Sequence, residues 1–85
     1  MTELSPTESN NLLNLQIDTI IKYKDESYKV INTSTSRFGY FIYIEKIPDD
    51  GKKYNLCLIT KDNTLSFHIL GFLNVTISYS DIEIL

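Results

Sequence analysis

The sequence contains no alanine. Alanine costs a helix least, and Leu and Glu are not arranged here at helical spacing, so long helices are not expected. Tryptophan is also absent, which leaves six Tyr and four Phe to supply bulk. Cys57 is the only cysteine, which excludes an intrachain disulfide, the usual staple of small secreted domains. One Cys and one His cannot build a structural zinc centre. The three glycines stand alone, so there is no Gly-rich phosphate loop, and the Asp-x-Asp-x-Asp-Gly calcium pattern is missing. Apolar runs are only a few residues long, too short for a transmembrane helix. No basic-then-apolar leader opens the chain, so a signal peptide is not expected. A cytoplasmic setting is expected, meaning host cytoplasm or virion if the source is viral. The Asn-, Ile- and Lys-rich composition fits an AT-rich viral, phage or low-GC bacterial genome.

What is present points to β structure. Ile, Tyr, Phe, Val and Thr suit a pleated, half-buried surface. The 85 residues make one domain with one modest core. Net charge is −3, but residues 19–46 carry five basic against three acidic side chains. That permits a local basic patch on an acidic protein and no more.

Residues 1–14 are polar and form either an unstructured tail or a short helix. Ser5 and Glu8 have capping-box spacing, and Pro6 stands where a first helical residue would. Residues 15–85 are expected to form a single β-barrel domain. From Leu15 the period is two, with Leu15, Ile17, Thr19, Ile21 and Tyr23 on one face. Tyr28 and Val30 join that face if the intervening loop has an even number of residues. Four residues, Lys24–Ser27, is the length expected. Residues 32–39 read as a polar connection. Strands are expected from Tyr40 to Lys46 and from about Lys53 to Thr60, separated by the Pro48, Asp49, Asp50, Gly51 turn.

The last third alternates most cleanly. Leu65, Phe67, Ile69, Leu73, Val75, Ile77 and Tyr79 are apolar and odd-numbered, while Thr64, Ser66, His68, Asn74, Thr76 and Ser78 are polar and even-numbered. A straight strand of 15 residues would span roughly 50 Å, whereas a domain of this size has a radius of gyration of about 12 Å. The chain must turn back at Leu70-Gly71-Phe72 or bend sharply at Gly71. Turning back would pair Ile69 with Leu73 and Phe67 with Val75. Two strands depart from alternation. Tyr40–Ile44 is apolar on both faces, and Tyr54–Ile59 is nearly so. Such strands are expected to be covered on both sides, the second face by the N-terminal helix, a loop or another molecule.

Asp18-Thr19-Ile20-Ile21-Lys22-Tyr23-Lys24, followed by Tyr28-Lys29-Val30-Ile31, resembles the opening hairpin of small SH3-like barrels. Ser80-Asp81-Ile82-Glu83-Ile84-Leu85 is similar to their closing turn and strand. Together these cover about a quarter of the chain, and Ile17 stands where such barrels usually carry Gly. The resemblance implies a mainly all-β, SH3-like barrel of five to six antiparallel strands; a shared fold carries no function by itself. Phe38-Gly39-Tyr40-Phe41-Ile42-Tyr43 is similar to the aromatic strand of RNA-recognition and cold-shock domains, whose bases stack on such rings. Their basic-Gly pair is Ser36-Arg37 here, and Phe67-His68 is the nearest counterpart of a second aromatic strand.

No catalytic constellation can be assembled. His68 is expected to face outward with no nucleophile beside it. Cys57 is expected to be buried and inert. Asp49, Asp50 and Asp62 are turn residues. Tyr23, Tyr28, Tyr40 and Tyr43 could line an aromatic cage, but cross-strand Tyr pairs serve a sheet without any ligand. The expectation is a non-enzymatic module with no cofactor, metal, membrane or small-molecule substrate, binding a protein partner or a second copy of itself. A virion component or host-directed inhibitor would fit. Its contact residues are expected to be Tyr40, Ile42 and Ile44 on the middle strand, and Leu70 and Phe72 at the hairpin tip. The competing expectation is a single-stranded nucleic-acid binder of OB or cold-shock type. In it Phe41 and Tyr43 stack bases while Lys22, Lys24, Lys29 and Arg37 track phosphates.

Overall fold

The structure, a computed structural model, describes residues 3–85. It opens with a helix, α1 (Pro6–Leu13). The capping box is made in full. Ser5 Oγ accepts from the Glu8 N–H at 3.2 Å, and Glu8 Oε1 accepts from the Ser5 N–H at 2.9 Å. Eight residues make a marginal helix in isolation. What holds this one is Leu12, which is fully buried in the barrel core, together with Leu4 just before the helix. Polar ties assist: Asn11 Nδ2 donates to the Tyr79 hydroxyl at 3.2 Å, and Asn63 Nδ2 donates to the Leu4 carbonyl at 2.8 Å.

Seven strands follow: β1 (Ile20–Tyr23), β2 (Glu26–Ser36), β3 (Gly39–Ile47), β4 (Tyr54–Ile59), β5 (Thr64–Ile69), β6 (Leu73–Ile77) and β7 (Ile82–Ile84). They form one antiparallel sheet in the order β6-β5-β4-β3-β2-β1-β7, curled into a half-barrel. A 3₁₀ turn (Tyr79–Asp81) carries the chain out of β6 and into β7, which pairs with β1 at Tyr23↔Ile82 and Ile21↔Ile84. Seven strands exceed the five to six expected. The chain does turn back at Gly71 instead of running on as a bent strand, and its last residues add a strand of their own.

Parity holds where it was clearest. Ile69 pairs with Leu73 and Phe67 with Val75, across a turn with Gly71 at φ +83°. Three other expectations are corrected. First, Leu15 and Ile17 precede the sheet. Asp18 has φ +78°, and the chain turns there before β1 begins at Ile20. Second, the β1–β2 turn has two residues, not four. Lys24 (φ +51°) and Asp25 (φ +64°) are both left-handed, as a type I′ hairpin requires to match strand twist. Ile21 therefore pairs with Tyr28, not Val30, although both loop lengths are even and the same residues face inward. Third, residues 32–36 continue β2. A bulge at Ile31, where pairing steps from Val30↔Ile44 to Asn32↔Tyr43, reverses the parity of the strand beyond it.

Inward-facing residues from every strand build one core, among them Ile21, Val30, Ile42, Leu56, Leu65 and Ile77. At its centre Phe67 of β5 meets Tyr23 of β1 (ring centroids 4.5 Å apart), Tyr28 of β2 (5.8 Å) and Tyr54 of β4 (6.0 Å). Burial raises the pKa of both Tyr28 and Tyr54, and the nearby Asp50 carboxylate pushes each further. Gly39 is required by space: a Cβ there would lie 2.2 Å from the Leu58 carbonyl oxygen of β4.

Phe67→Ala should cost about 3–5 kcal/mol, the usual penalty for emptying a buried aromatic site. Urea denaturation followed by near-UV circular dichroism of the tyrosines checks this.

Candidate interaction site

The β5–β6 turn projects apolar side chains into solvent. Leu70 is 69% exposed and Phe72 73%. The turn is held by the Phe72 N–H donating to the Ile69 carbonyl at 2.8 Å, with Gly71 supplying the left-handed residue. Two links tie it to the β3–β4 loop. The Leu70 N–H donates to the Lys53 carbonyl at 2.9 Å, and Lys52 Nζ lies 5.0 Å from the centre of the Phe72 ring. That loop is itself shaped by its carboxylates. Asp49 Oδ1 accepts from the Gly51 N–H at 2.9 Å, and Asp50 Oδ1 accepts from the Lys52 N–H at 3.0 Å. The Tyr54 hydroxyl also donates to Asp50, and this bond chiefly lowers the Asp50 pKa.

Beside the loop lies an open groove of about 480 Å³, lined by Ile31, Tyr43, Glu45, Asp49, Lys52 and Lys53 among others. The bulge puts Ile31 there, 44% exposed, next to outward-facing Tyr43. Lys52 and Lys53 border both groove and tip, so the two form one surface. It offers apolar bodies, both signs of charge and no deep cavity. A partner could anchor on Phe72 and Leu70 while meeting charge at the loop.

The structure places the expected contact residues differently from one another. Leu70 and Phe72 are at the surface. Ile42 and Ile44 are not: β3 parity turns them inward, and they are fully buried in the core. The expectation that they touch a partner is corrected. Tyr40 is half-buried and packs against the same core. It is Phe41 and Tyr43 that face outward on β3. The buried side chain of α1, Leu12, enters the core and does not serve that outer face. Phe41 instead stands opposite Cys57 of β4, and Ile59 opposite Gly39 of β3 and Thr64 of β5.

The basic residues of the nucleic-acid alternative are dispersed. Lys22 pairs across the sheet with Glu83, and Lys29 with Glu45, so acidic neighbours interrupt the patch. Lys24 lies 5.5 Å from the Tyr23 ring in the first turn, and Arg37 lies 5.4 Å from the exposed Phe38 ring in the β2–β3 turn. Ile31, Lys52 and Leu73 belong to the site but were not anticipated. The adjacent apolar pair Val30-Ile31 was a readable sign of a bulge. Nothing local marks Lys52.

On the outer face of β4 and β5, Asn55 pairs with His68 and Cys57 with Ser66. Asn55 Oδ1, Ser66 Oγ and His68 Nε2 are buried without hydrogen-bond partners among the described residues. Burial raises the Cys57 pKa, which keeps its thiol protonated, and lowers that of His68, which keeps its imidazole neutral. Neither shift activates a nucleophile–base pair. Among the described residues no three His, Cys, Asp or Glu side chains gather as metal ligands. The ion pair between Lys46 and Glu26, at 3.4 Å, lies on the barrel near the first turn. Comparison with family models, with curated proteins and with solved structures finds no match.

His68 should make stability fall on acidification. Its folded pKa is below its ordinary value of 6.5, so as pH drops through that value the unfolded chain takes up the proton first. The stabilising contribution is complete above pH 6.5 and is lost as pH falls through the lower folded pKa. Denaturation midpoints of wild type and His68→Gln between pH 7.5 and 5 should show a shallower decline for the variant.

Proposed function

We propose that this protein is a non-enzymatic protein-binding module on a small SH3-like barrel, and that its β5–β6 tip with the adjoining groove is the contact surface. The observation that carries the reading is the tip itself. Leu70 and Phe72, 69% and 73% exposed, stand on one hydrogen-bonded turn tied to the Lys52–Lys53 loop, and Leu73, 45% exposed, opens β6 beside them. Large aromatic and aliphatic side chains held rigidly in solvent lose little entropy on docking, and such side chains anchor many interfaces. The groove beside them adds charged groups that can set orientation. Arrival at the last strand through a 3₁₀ turn, and its pairing with β1, support the SH3-like reading of the barrel. The Asn-, Ile- and Lys-rich composition fits a viral or phage source as it fits a low-GC bacterial one, and in a virus or phage a virion component or host-directed inhibitor of this size would serve.

Leu70→Ser with Phe72→Ser should abolish partner recovery while leaving stability within about 0.5 kcal/mol, as for other exposed positions. Affinity capture with immobilised wild type and double variant, followed by mass spectrometry and a binding titration, checks both. A partner held equally well by the two proteins would refute the tip as the site.

A further inference from the structure

The sheet has two open edges, and they are built differently. The β7 edge is three residues long and carries Glu83, with Asp81 just before it. Short length and charge are the usual guards against edge-to-edge pairing. The β6 edge has neither guard. Leu73-Asn74-Val75-Thr76-Ile77 is five residues without charge, proline or bulge. It also lies within a wholly uncharged run: from Asn63 to Ser80 there is no Asp, Glu, Lys or Arg.

The direction of its free backbone groups follows from one hydrogen bond. The Leu70 N–H donates to the Lys53 carbonyl. In an antiparallel ladder the bonded pairs alternate, so His68 and Ser66 of β5 also bond toward β4. Ile69, Phe67 and Leu65 therefore bond toward β6, to Leu73, Val75 and Ile77. That leaves the N–H and C=O groups of Asn74 and Thr76 pointing away from β5. β6 ends the sheet on this side, and Glu3 bridges Thr64 only past the Ile77 end of it. Among the described residues, then, nothing pairs with these groups.

We propose that β6 is a homodimerisation edge, pairing antiparallel with β6 of a second copy about a twofold axis through Val75. In that register Asn74 faces Thr76 of the other copy, and the outward backbone groups of the two residues meet as bonded pairs. Val75, half-buried in one copy, faces itself. Leu73, 45% exposed, falls opposite Ile77. The occupant follows from charge. Each chain has a net charge of −3, so two copies repel weakly overall, and the uncharged 63–80 run is where they can approach without like charges meeting. A charged peptide would find no complementary group along this edge. The pairing is isologous and closes at two, because the guarded β7 edge cannot propagate it. This goes beyond the tip reading and stands without it: Leu70 and Phe72 lie outside the paired residues, and Leu73 alone is shared by the two surfaces.

Sedimentation equilibrium from micromolar to millimolar concentration tests it. Wild type should approach twice 9.8 kDa. Thr76→Pro removes an N–H that β5 does not use, as edge strands tolerate, and should leave a monomer with unchanged circular dichroism. Because proline can still disturb a strand, a charge pair gives a second reading. Asn74→Lys with Thr76→Lys, and Asn74→Glu with Thr76→Glu, should each be monomeric, and mixing them in equal amounts should restore the dimer mass. A wild type that stays at 9.8 kDa throughout, or a dimer that none of these variants alters, overturns the proposal.

Discussion

The curl of the sheet depends on a single aromatic contact. In a flat sheet β1 and β5 would stand four strand spacings apart, roughly 19 Å at about 4.8 Å each. Their side chains Tyr23 and Phe67 instead meet with ring centroids 4.5 Å apart. That contact is possible only if the sheet wraps round on itself, and once wrapped it has an inside. Tyr28 and Tyr54 extend the cluster from β2 and β4, so three strands converge on the one ring of β5. Tyr is well suited to this position. Its ring fills the interior, while its hydroxyl can reach a polar partner, as Tyr54 does at Asp50. The barrel thus anchors the loop that borders the candidate site through the same residue that fills its core.

A half-barrel leaves work for other parts of the chain. The helix supplies Leu12 as a plug, and the segment before it supplies Leu4. This explains why a helix of only eight residues is worth making: its capping box sets where it starts, and the core keeps it folded. Leu12 therefore serves the core and not the apolar side chains on the outer face of β3 and β4. Among the described residues the one α-helix is committed to the inside. Phe41 stands opposite Cys57, and Ser66, between Cys57 and Thr76, is buried with no hydrogen-bond partner among the described residues.

How far the sequence can be read depends on whether a feature is local. The Ser5–Glu8 cap and the Ile69↔Leu73 turn follow from residues a few positions apart, and both were legible. Alternation also marked the pairing within residues 65–77, because that segment has no bulge, although Leu73 ends 45% exposed and Ser66 buried. It failed at Ile31, where one extra residue inverts parity and makes Asn32–Ser36 look like a connection. It also failed on β3, where both faces are apolar and pattern alone cannot tell inward Ile42 and Ile44 from outward Phe41 and Tyr43. Exposure of Leu70 and Phe72 was legible because three residues cannot turn inward at a hairpin tip. The groove was not, since Ile31 and Lys52 come together only through the register of β2 against β3 and the path of the following loop.

The strand exchange at the 3₁₀ turn also has a consequence in time. Every other strand pairing in this sheet joins neighbours in the chain, and such hairpins close quickly. β7 is different: its partner β1 lies about sixty residues earlier. Loop-closure entropy makes that contact a late one. Until it forms, the Tyr23–Phe67 contact has β1 held on one side only, by β2. Five hairpins can zip up in order, but the curled sheet is locked only when Ile82 and Ile84 come back to the first strand. A nascent or truncated chain lacking those residues would carry the meander complete and its first strand unclasped.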